Sequence, residues 1–369
     1  MAIKKIQKID TPFLTIVLTI LIFGLLMFGS AALGVLAKHE VKFYSILLNQ
    51  LVYALLGGML ALFVGLFIHY THLKRYSFHF YLLTLFLTLL VFVPGIGFSH
   101  GGATRWVHLF GFSMQPSEIL KYGTVLFFAS WLAANKSRLN DMAYGLVPFG
   151  IIAGVPFLLL LSQPDTGTGA IILFSSFAMF IVAGAPWRDI GITFVAGIIG
   201  IVILATLRPY VKDRIMTFVD PSRDATGSSY QLQQSLIAIG SGGPLGRGYG
   251  QSIQKFNFLP EPIGDSIYAV IGEELGIFGG SFVILLFSAL AIRGFKIARM
   301  VKDSYGALLI VGITSILLVQ AFMNISSMLG IFPLTGVPLP LISHGGTALL
   351  TTLFGIGIIL NISKYRTTI

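Results

Sequence analysis

Long apolar stretches alternate with short polar breaks along almost the whole chain. A helix needs about 20 residues to cross about 30 Å of hydrocarbon, and proline and glycine stand at the breaks, where they end helices. The apolar stretches lie near residues 12–36, 44–69, 78–94, 117–134, 143–161, 168–184, 189–207, 266–292, 304–329 and 340–362. This pattern predicts an all-α integral membrane protein with about ten transmembrane helices in a single domain, residues 1–369.

The composition excludes a soluble globular protein. The chain is 55% hydrophobic and 10% charged, with a mean hydropathy of +0.88, whereas soluble domains carry about 25% charged residues. Its net charge of +10 comes largely from loops between apolar stretches, so we do not expect a nucleic-acid partner. There is no cysteine, which excludes disulfides, thiolate catalysis and cysteine-bound metals.

The lysines and arginines gather in alternate loops, and this bias predicts the orientation. Short loops on one side hold only Lys38, Lys42 and Arg105, and we assign that side to the outside. The other side is predicted to be cytoplasmic, as are both termini, and it holds Lys4, Lys5, Lys8, Lys74, Arg75, Lys136, Arg138, Arg188, Arg293, Lys296, Arg299, Lys302, Lys364 and Arg366. The long loop 208–265, between the seventh and eighth helices, is then extracytoplasmic despite its cations, among them Arg223.

Half of the acidic residues fall in or just after this loop, seven of 14 between Asp213 and Glu274. A carboxylate at the mouth of a membrane helix is costly and is a functional candidate for that reason, so Asp265 is the first candidate for catalysis. The alternative is an N-cap, which would lower the pKa of Asp265, whereas a base working near neutral pH needs it raised. Glu273 and Glu274 lie two turns deeper, and at least one should face the interior or a polar cavity.

Three polar motifs offer further candidates. Glu118 and Lys121 share a helix face as an ion pair that either lines a pathway or locks the fold, with Ser117 or Glu118 as a helix cap. Arg105, beside a tryptophan, is either an interfacial anchor or a functional cation. Asp165 lies in a turn that opens a helix, a geometry that binds phosphate or needs only a cap from Asp165 or Thr166.

Two other groups carry weaker signals. Gly240 to Gly250 is rich in glycine but lacks the ending and the βαβ context of a nucleotide-binding loop. We expect its glycines to let the loop fold tightly over the membrane surface, leaving Arg247 free to meet an anionic headgroup. His69 and His72 are closely spaced but stand apart from the acidic cluster, which indicates interfacial polar tips rather than a metal site.

Taken together, the motifs resemble the SEDS family of bacterial cell-wall proteins, the FtsW, RodA and SpoVE group. The resemblance covers most of the chain, and Gly250-Gln-Ser-Ile-Gln-Lys-Phe256 is closer to the division-type FtsW than to RodA. The motifs are Gly102-Ala-Thr-Arg105-Trp106, Gln115-Pro-Ser-Glu118-Ile-Leu-Lys121, Gln163-Pro-Asp165-Thr-Gly167-Thr168, Tyr230 through Gly243, Phe258-Leu-Pro-Glu261, Asp265 through Gly276, and Pro338-Leu-Pro-Leu-Ile-Ser343-His-Gly345-Gly346-Thr347.

The resemblance implies a ten-helix peptidoglycan glycosyltransferase of the bacterial cytoplasmic membrane that polymerises lipid II with a class B penicillin-binding transpeptidase as partner. It marks Asp265 as the essential aspartate. Two positions depart from the family pattern, which usually has a His-Thr pair at Ile263-Gly264 and a tyrosine at His344.

The mechanism that this resemblance suggests is an inverting transfer. Asp265 takes the proton from the acceptor's 4-hydroxyl, and Arg105, with Lys121 or Arg247, stabilises the leaving undecaprenyl pyrophosphate. Glu118, Asp165 and Ser343 complete the predicted substrate-binding set. A divalent cation could share in neutralising the pyrophosphate, although the sequence offers no dedicated site. The alternatives are a lipid II flippase and a non-catalytic scaffold, and the outward clustering of the acidic groups favours the enzyme.

Overall fold

The computed structural model describes residues 8–37, 40–100, 103–109, 112–220 and 227–367. Lys4, Lys5, Lys38, Gly102 and Arg223, which enter the topology and motif predictions, lie outside the described residues. The elements, in chain order, are α1 Thr11–Leu36, α2 Glu40–Leu48, a π-helical stretch Asn49–Leu56, α3 Gly57–Phe67, α4 Tyr70–Leu89, β1 Gly97–His100, β2 Ala103–Leu109, β3 Phe112–Met114, α5 Pro116–Ala134, α6 Leu146–Ser162, α7 Thr166–Ala183, α8 Trp187–Leu207, α9 Pro209–Val219, α10 Ser228–Gly242, α11 Gln254–Asn257, α12 Ile267–Met300, α13 Ser304–Met328 and α14 Gly346–Ser363.

The predicted helical membrane fold is confirmed. Eight helical segments of the described chain are long and apolar enough to cross a membrane, and the shorter α6 and the charge-bearing α5 bring the number near the ten predicted. Two predicted boundaries differ. The third span begins at Tyr70 rather than at 78, and α12 continues to Met300. The sequence analysis did not predict the antiparallel three-stranded sheet β1-β2-β3, which precedes α5.

The two ends of the described chain meet on one side of the helix bundle. Asp10, which caps α1 by accepting from the Phe13 N–H, is fully buried and accepts two hydrogen bonds from Arg293, at 2.8 and 2.7 Å. Arg366 lies 3.5 Å from the same carboxylate, and the Asp10 N–H donates to Ser363 Oγ. Because the start of α1 meets the end of α14, the chain crosses the bundle an even number of times, which agrees with ten crossings.

The long loop is itself built of helices α9, α10 and α11. The centre of the bundle is α13, which packs against α5, α7 and α12, whereas α8 lies apart and buries only Asp189. The helix α12 is broken at Gly276, whose backbone angles are φ 65° and ψ −160°. The glycine-rich loop fills the break: the N–H groups of Arg247 and Gly248 donate to the carbonyls of Glu273 and Glu274 at 3.0 and 2.9 Å.

Candidate active site

Asp265 lies at the N-terminal end of α12, two residues before the helix begins. The N-cap is Ser266, and its side chain makes no cap hydrogen bond, so the interpretation of Asp265 as a capping residue is wrong. Instead Gln231 Nε2 of α10 donates to Asp265 Oδ1 at 3.0 Å. Asn324 Nδ2 of α13 donates to the Asp265 carbonyl at 2.7 Å. Two separate helices therefore fix both the side chain and the backbone of this residue.

The segment before α14 supports the turn that carries Asp265. Ser343 Oγ donates to the Gly264 carbonyl at 2.7 Å and accepts from the Leu339 N–H at 2.8 Å. The His344 N–H donates to the Ile263 carbonyl at 2.8 Å. These contacts reach the backbone carbonyls of Ile263 and Gly264, not their side chains. Ser343 thus shapes the backbone beside the carboxylate, while its predicted contact with substrate stays a prediction.

The surroundings of Asp265 make its carboxyl group a weak acid. Burial raises the pKa of Asp265 to about 6, and the charge of Glu261 adds to this effect, whereas the Gln231 hydrogen bond and the Arg214 charge oppose it. The side chain is nevertheless partly accessible. A carboxylate with a pKa near 6 is a stronger base than an ordinary aspartate, and it is still mostly ionised at neutral pH. That combination suits a general base.

The predicted Glu118–Lys121 ion pair is present and buried. Lys121 Nζ lies 2.9 Å from Glu118 Oε2 and donates to Gln320 Oε1 at 2.7 Å. Gln320 Nε2 donates to the Pro338 carbonyl at 2.9 Å, and Asn324, one turn further along α13, donates to the Val337 carbonyl at 2.8 Å. The pair is therefore connected through α13 to the segment that borders Asp265.

Asp165 caps α7, as one of the two alternatives predicted, by accepting from the Thr168 N–H at 3.3 Å. Its other oxygen accepts from Ser117 Oγ at 3.0 Å and from Gln115 Nε2 at 3.3 Å. The expected cap of α5 by Ser117 or Glu118 is wrong, because Gln115 is the N-cap residue and makes no side-chain cap bond. Ser117 instead joins the starts of α5 and α7.

Two arginines, Arg105 and Arg214, lie near Asp165 and Asp265. Arg105, on β2, donates to the backbone carbonyls of Gln163 and Pro164, which are neutral acceptors. Arg214, on α9, was not singled out from the sequence, yet its guanidinium interacts electrostatically with Arg105, Asp265 and Asp165. Burial lowers the pKa of Arg214, and the nearby Tyr210 opposes this effect. In the sequence, Arg214 is marked only by its position in the long polar loop.

Glu273 and Glu274 form a second buried cluster, and both face the interior. Lys255 Nζ lies 2.7 Å from Glu274 Oε1, and Ser30 Oγ lies 2.7 Å from both Glu274 oxygens. Arg247 Nε lies 3.6 Å from Glu273 Oε1, and the arginine side chain is 37% exposed. The cluster ties α11 and the glycine-rich loop to α12. A contact of Arg247 with substrate remains a prediction.

The acidic and histidine residues that the structure describes do not converge on a metal site. Among the residues that the structure describes, no group of three or more His, Asp or Glu side chains is close enough to hold an ion. Asp265 and Asp165 are each committed to other hydrogen bonds. The structure therefore assigns no residues to the divalent cation that the sequence analysis considered.

Comparison with known proteins identifies a family. The FtsW/RodA/SpoVE family model, described as "Cell cycle protein", matches residues 10–368. Stage V sporulation protein E of Bacillus subtilis is 36% identical over 365 residues, which covers 97% of this chain and 98% of that protein. A probable peptidoglycan glycosyltransferase FtsW of Geobacter sulfurreducens is also 36% identical over 365 residues, with 98% and 96% coverage.

Two solved structures share the fold over nearly the full length. A chain from a peptidoglycan synthase complex, described as coordinating polymerization and crosslinking, matches with a TM-score of 0.79 and 28% identity, covering 96% of this chain and 97% of that chain. The rod shape determining protein RodA of Thermus thermophilus matches with a TM-score of 0.71 and 27% identity, covering 98% of both chains.

Proposed function

This chain belongs to the FtsW/RodA/SpoVE family, and from that premise we propose that it is a peptidoglycan glycosyltransferase with Asp265 as its general base. It polymerises lipid II into glycan strands during cell division or elongation. The observation that carries the proposal is a partly accessible carboxylate with a pKa of about 6, at the outer mouth of a membrane helix, with two arginines close by.

The reaction is an inverting transfer from a lipid-linked donor. Asp265 takes the proton of the acceptor's 4-hydroxyl, whose oxygen attacks the donor's anomeric carbon. The bond from that carbon to the undecaprenyl pyrophosphate breaks, and its electron pair leaves with the pyrophosphate. Arg105 lies on the outer side, where it can meet the charge that develops on the leaving group. Gln231 holds the carboxylate in position.

The other predicted substrate-binding residues divide into two roles. Glu118 and Lys121 form a buried ion pair, and Asp165 accepts a hydrogen bond from the buried Ser117. We therefore assign these residues first to holding α5, α7 and α13 together around the site. Ser343 donates to the Gly264 carbonyl, and Arg247 lies near Glu273, so these two residues also hold segments of the protein together. We also propose that these residues contact the substrate.

The setting follows from the family and from the orientation. The chain is a multi-pass membrane protein, and we propose that it resides in the bacterial cytoplasmic membrane with both termini in the cytoplasm. The site then faces the compartment where glycan strands are built. The related structure of a peptidoglycan synthase complex supports a crosslinking partner, which we propose to be a class B penicillin-binding transpeptidase.

The test is polymerisation by the purified chain. The protein is reconstituted in liposomes with its transpeptidase partner and labelled lipid II, with no other glycosyltransferase present. We expect long glycan strands on gels. If the liposomes instead only exchange lipid II between leaflets, the chain is a flippase. If neither activity occurs while the transpeptidase still binds, it is a scaffold.

A further inference from the structure

Arg214 has an unusual combination of surroundings. It lies on α9, partly buried, with its guanidinium carbon 4.9 Å from the centre of the Tyr210 ring. Within the part of the chain that the structure describes, its guanidinium makes no hydrogen bond or ion pair. An arginine carries five N–H donors in a planar fork, a shape that matches phosphate oxygens. A protected guanidinium with unused donors suits an anionic ligand.

The guanidinium faces a small gap beside Asp265. A methyl group built on Gly336 would lie 3.6 Å from Arg214 Nη2 and 3.8 Å from Asp265 Oδ2, with no other atom within 4 Å. Gly336 has a φ of 67°, a conformation that favours glycine. The cation and the carboxylate thus border the same space without forming an ion pair, so each can engage a different part of one substrate.

Arg105 brings a second positive charge to this region. Arg105 donates to neutral backbone carbonyls, and its charge acts on Arg214. Asp165, the other carboxylate nearby, is already engaged by Ser117 and Gln115. Arg105 and Arg214 thus bring two positive charges close to Asp265 and Asp165, and among the described residues neither arginine forms an ion pair.

The helix α9 holds Arg214 in this position. The Tyr210 hydroxyl is hydrogen-bonded to Thr166 Oγ1, in the first turn of α7, and the Tyr210 ring lies against the guanidinium. Lys212 is two residues away, which is about 200° around a helix, and it is exposed beside a groove between α8 and α9. The same helix thus carries one cation toward the site and another away from it.

We propose that Arg214, together with Arg105, forms a pyrophosphate-binding subsite beside the catalytic carboxylate. The inference rests on the proposed glycosyltransferase function for its role in the reaction. As the bond to the anomeric carbon breaks, the electron pair moves to the departing pyrophosphate oxygen, and the two guanidinium groups bind the charge that it gains. The acceptor's proton goes to Asp265.

The test measures binding separately from catalysis. Farnesyl pyrophosphate and farnesol are titrated into the full chain in nanodiscs, for the wild type and for Arg214→Ala, Arg214→Lys and Lys212→Ala. We expect Arg214→Ala to bind farnesyl pyrophosphate about 10- to 100-fold more weakly, the cost of losing a charge-assisted hydrogen bond. Arg214→Lys should be intermediate, because lysine cannot bind in a bidentate manner. Lys212→Ala should match the wild type, and farnesol affinity should be the same in all four proteins.

Several results would overturn the inference. One is an Arg214→Ala chain that has the wild-type melting temperature and also keeps the wild-type affinity for farnesyl pyrophosphate. A loss that Lys212→Ala shares would indicate only a general attraction by surface charge, and an equal loss for farnesol would indicate a structural role. If Arg214→Ala only moves the pH profile of polymerisation, the residue acts through Asp265 alone. Arg214-dependent binding in a chain that makes no glycan would instead refute the proposed function and leave the subsite standing.

Discussion

Replacement of Asp265 by asparagine removes the proposed base and little else. Asparagine keeps the size of the side chain and an oxygen that can accept the Gln231 hydrogen bond, which is 3.0 Å long in the wild type. The backbone bond from Asn324 is unaffected. A general base contributes about 10²–10⁴-fold to rate, so the Asp265→Asn chain should make glycan strands at least about 100-fold more slowly.

The same substitution should not destabilise the protein. Burial raises the pKa of Asp265 from 3.8 to about 6, and at 1.36 kcal/mol per unit the ionised form is disfavoured by about 3 kcal/mol in the folded state, an upper value because the side chain is partly accessible. The raised pKa means that the folded state binds this proton more tightly than the unfolded state. Protonation of Asp265 therefore stabilises the folded state below about pH 4, and this contribution is lost as the pH rises through about 6. A neutral asparagine avoids this cost, so the variant should melt at or above the wild-type temperature at pH 7.

The matched control is Glu261→Gln, which also changes a carboxylate to an amide. Glu261 lies four residues before Asp265, and its side chain is exposed. The wild-type rate should fall about tenfold per pH unit below about pH 6 and be constant above about pH 7. Because the Glu261 charge raises the pKa of Asp265, Glu261→Gln should keep its activity and move the acid limb to lower pH. Strand lengths and rates are read from gels with labelled lipid II. An Asp265→Asn chain that polymerises within tenfold of the wild type would refute the reasoning.

Three further outcomes are expected. Alanine at either Glu118 or Lys121 should lower the folded yield, since an uncompensated buried charge costs about 3–5 kcal/mol, and the double change to Gln and Met should recover part of it; stable, active single variants would reject the pairing. Cysteine at the exposed Leu245 should react with a membrane-impermeant thiol reagent in intact cells, whereas cysteine at the exposed Ser137 should react only after lysis. The reverse result would show that the proposed topology is wrong. Gly336→Ala should slow polymerisation, because its methyl group enters the gap between the arginine and the carboxylate and its positive φ costs about 1–2 kcal/mol; an unchanged rate would show that the gap is not used by substrate.

Hydrophobicity predicted most of the fold. A span of apolar residues has few alternatives in a bilayer, because the backbone must satisfy its own hydrogen bonds there. The predicted Glu118–Lys121 pair followed from helical spacing alone, since residues three apart share a face. Asp165 as a cap followed from the residue type and its place before an apolar helix. Both predictions depend only on residues close together in the sequence, and the structure confirms them.

Contacts between distant segments could not be predicted in this way. Arg214 is one of several cations in a polar loop, and only the docking of α9 on α7 through Tyr210 brings it to Asp265. The capping interpretation of Asp265 failed because Gln231 and Asn324, on α10 and α13, hold the residue outside the helix. The short sheet was missed because its strands are brief, although the Gly-Gly pair at 101–102 is a hairpin signal.

The break at Gly276 has a consequence for the biogenesis of the protein. The carbonyls of Glu273 and Glu274 accept hydrogen bonds from the N–H groups of Arg247 and Gly248, residues that the ribosome adds before α12. An isolated α12 would enter the bilayer without these two hydrogen bonds, and an unsatisfied backbone group there costs several kcal/mol. Its release from the translocon should therefore wait until the preceding loop is already across the membrane. We therefore expect the glycine-rich loop to assist the membrane insertion of the helix that follows it.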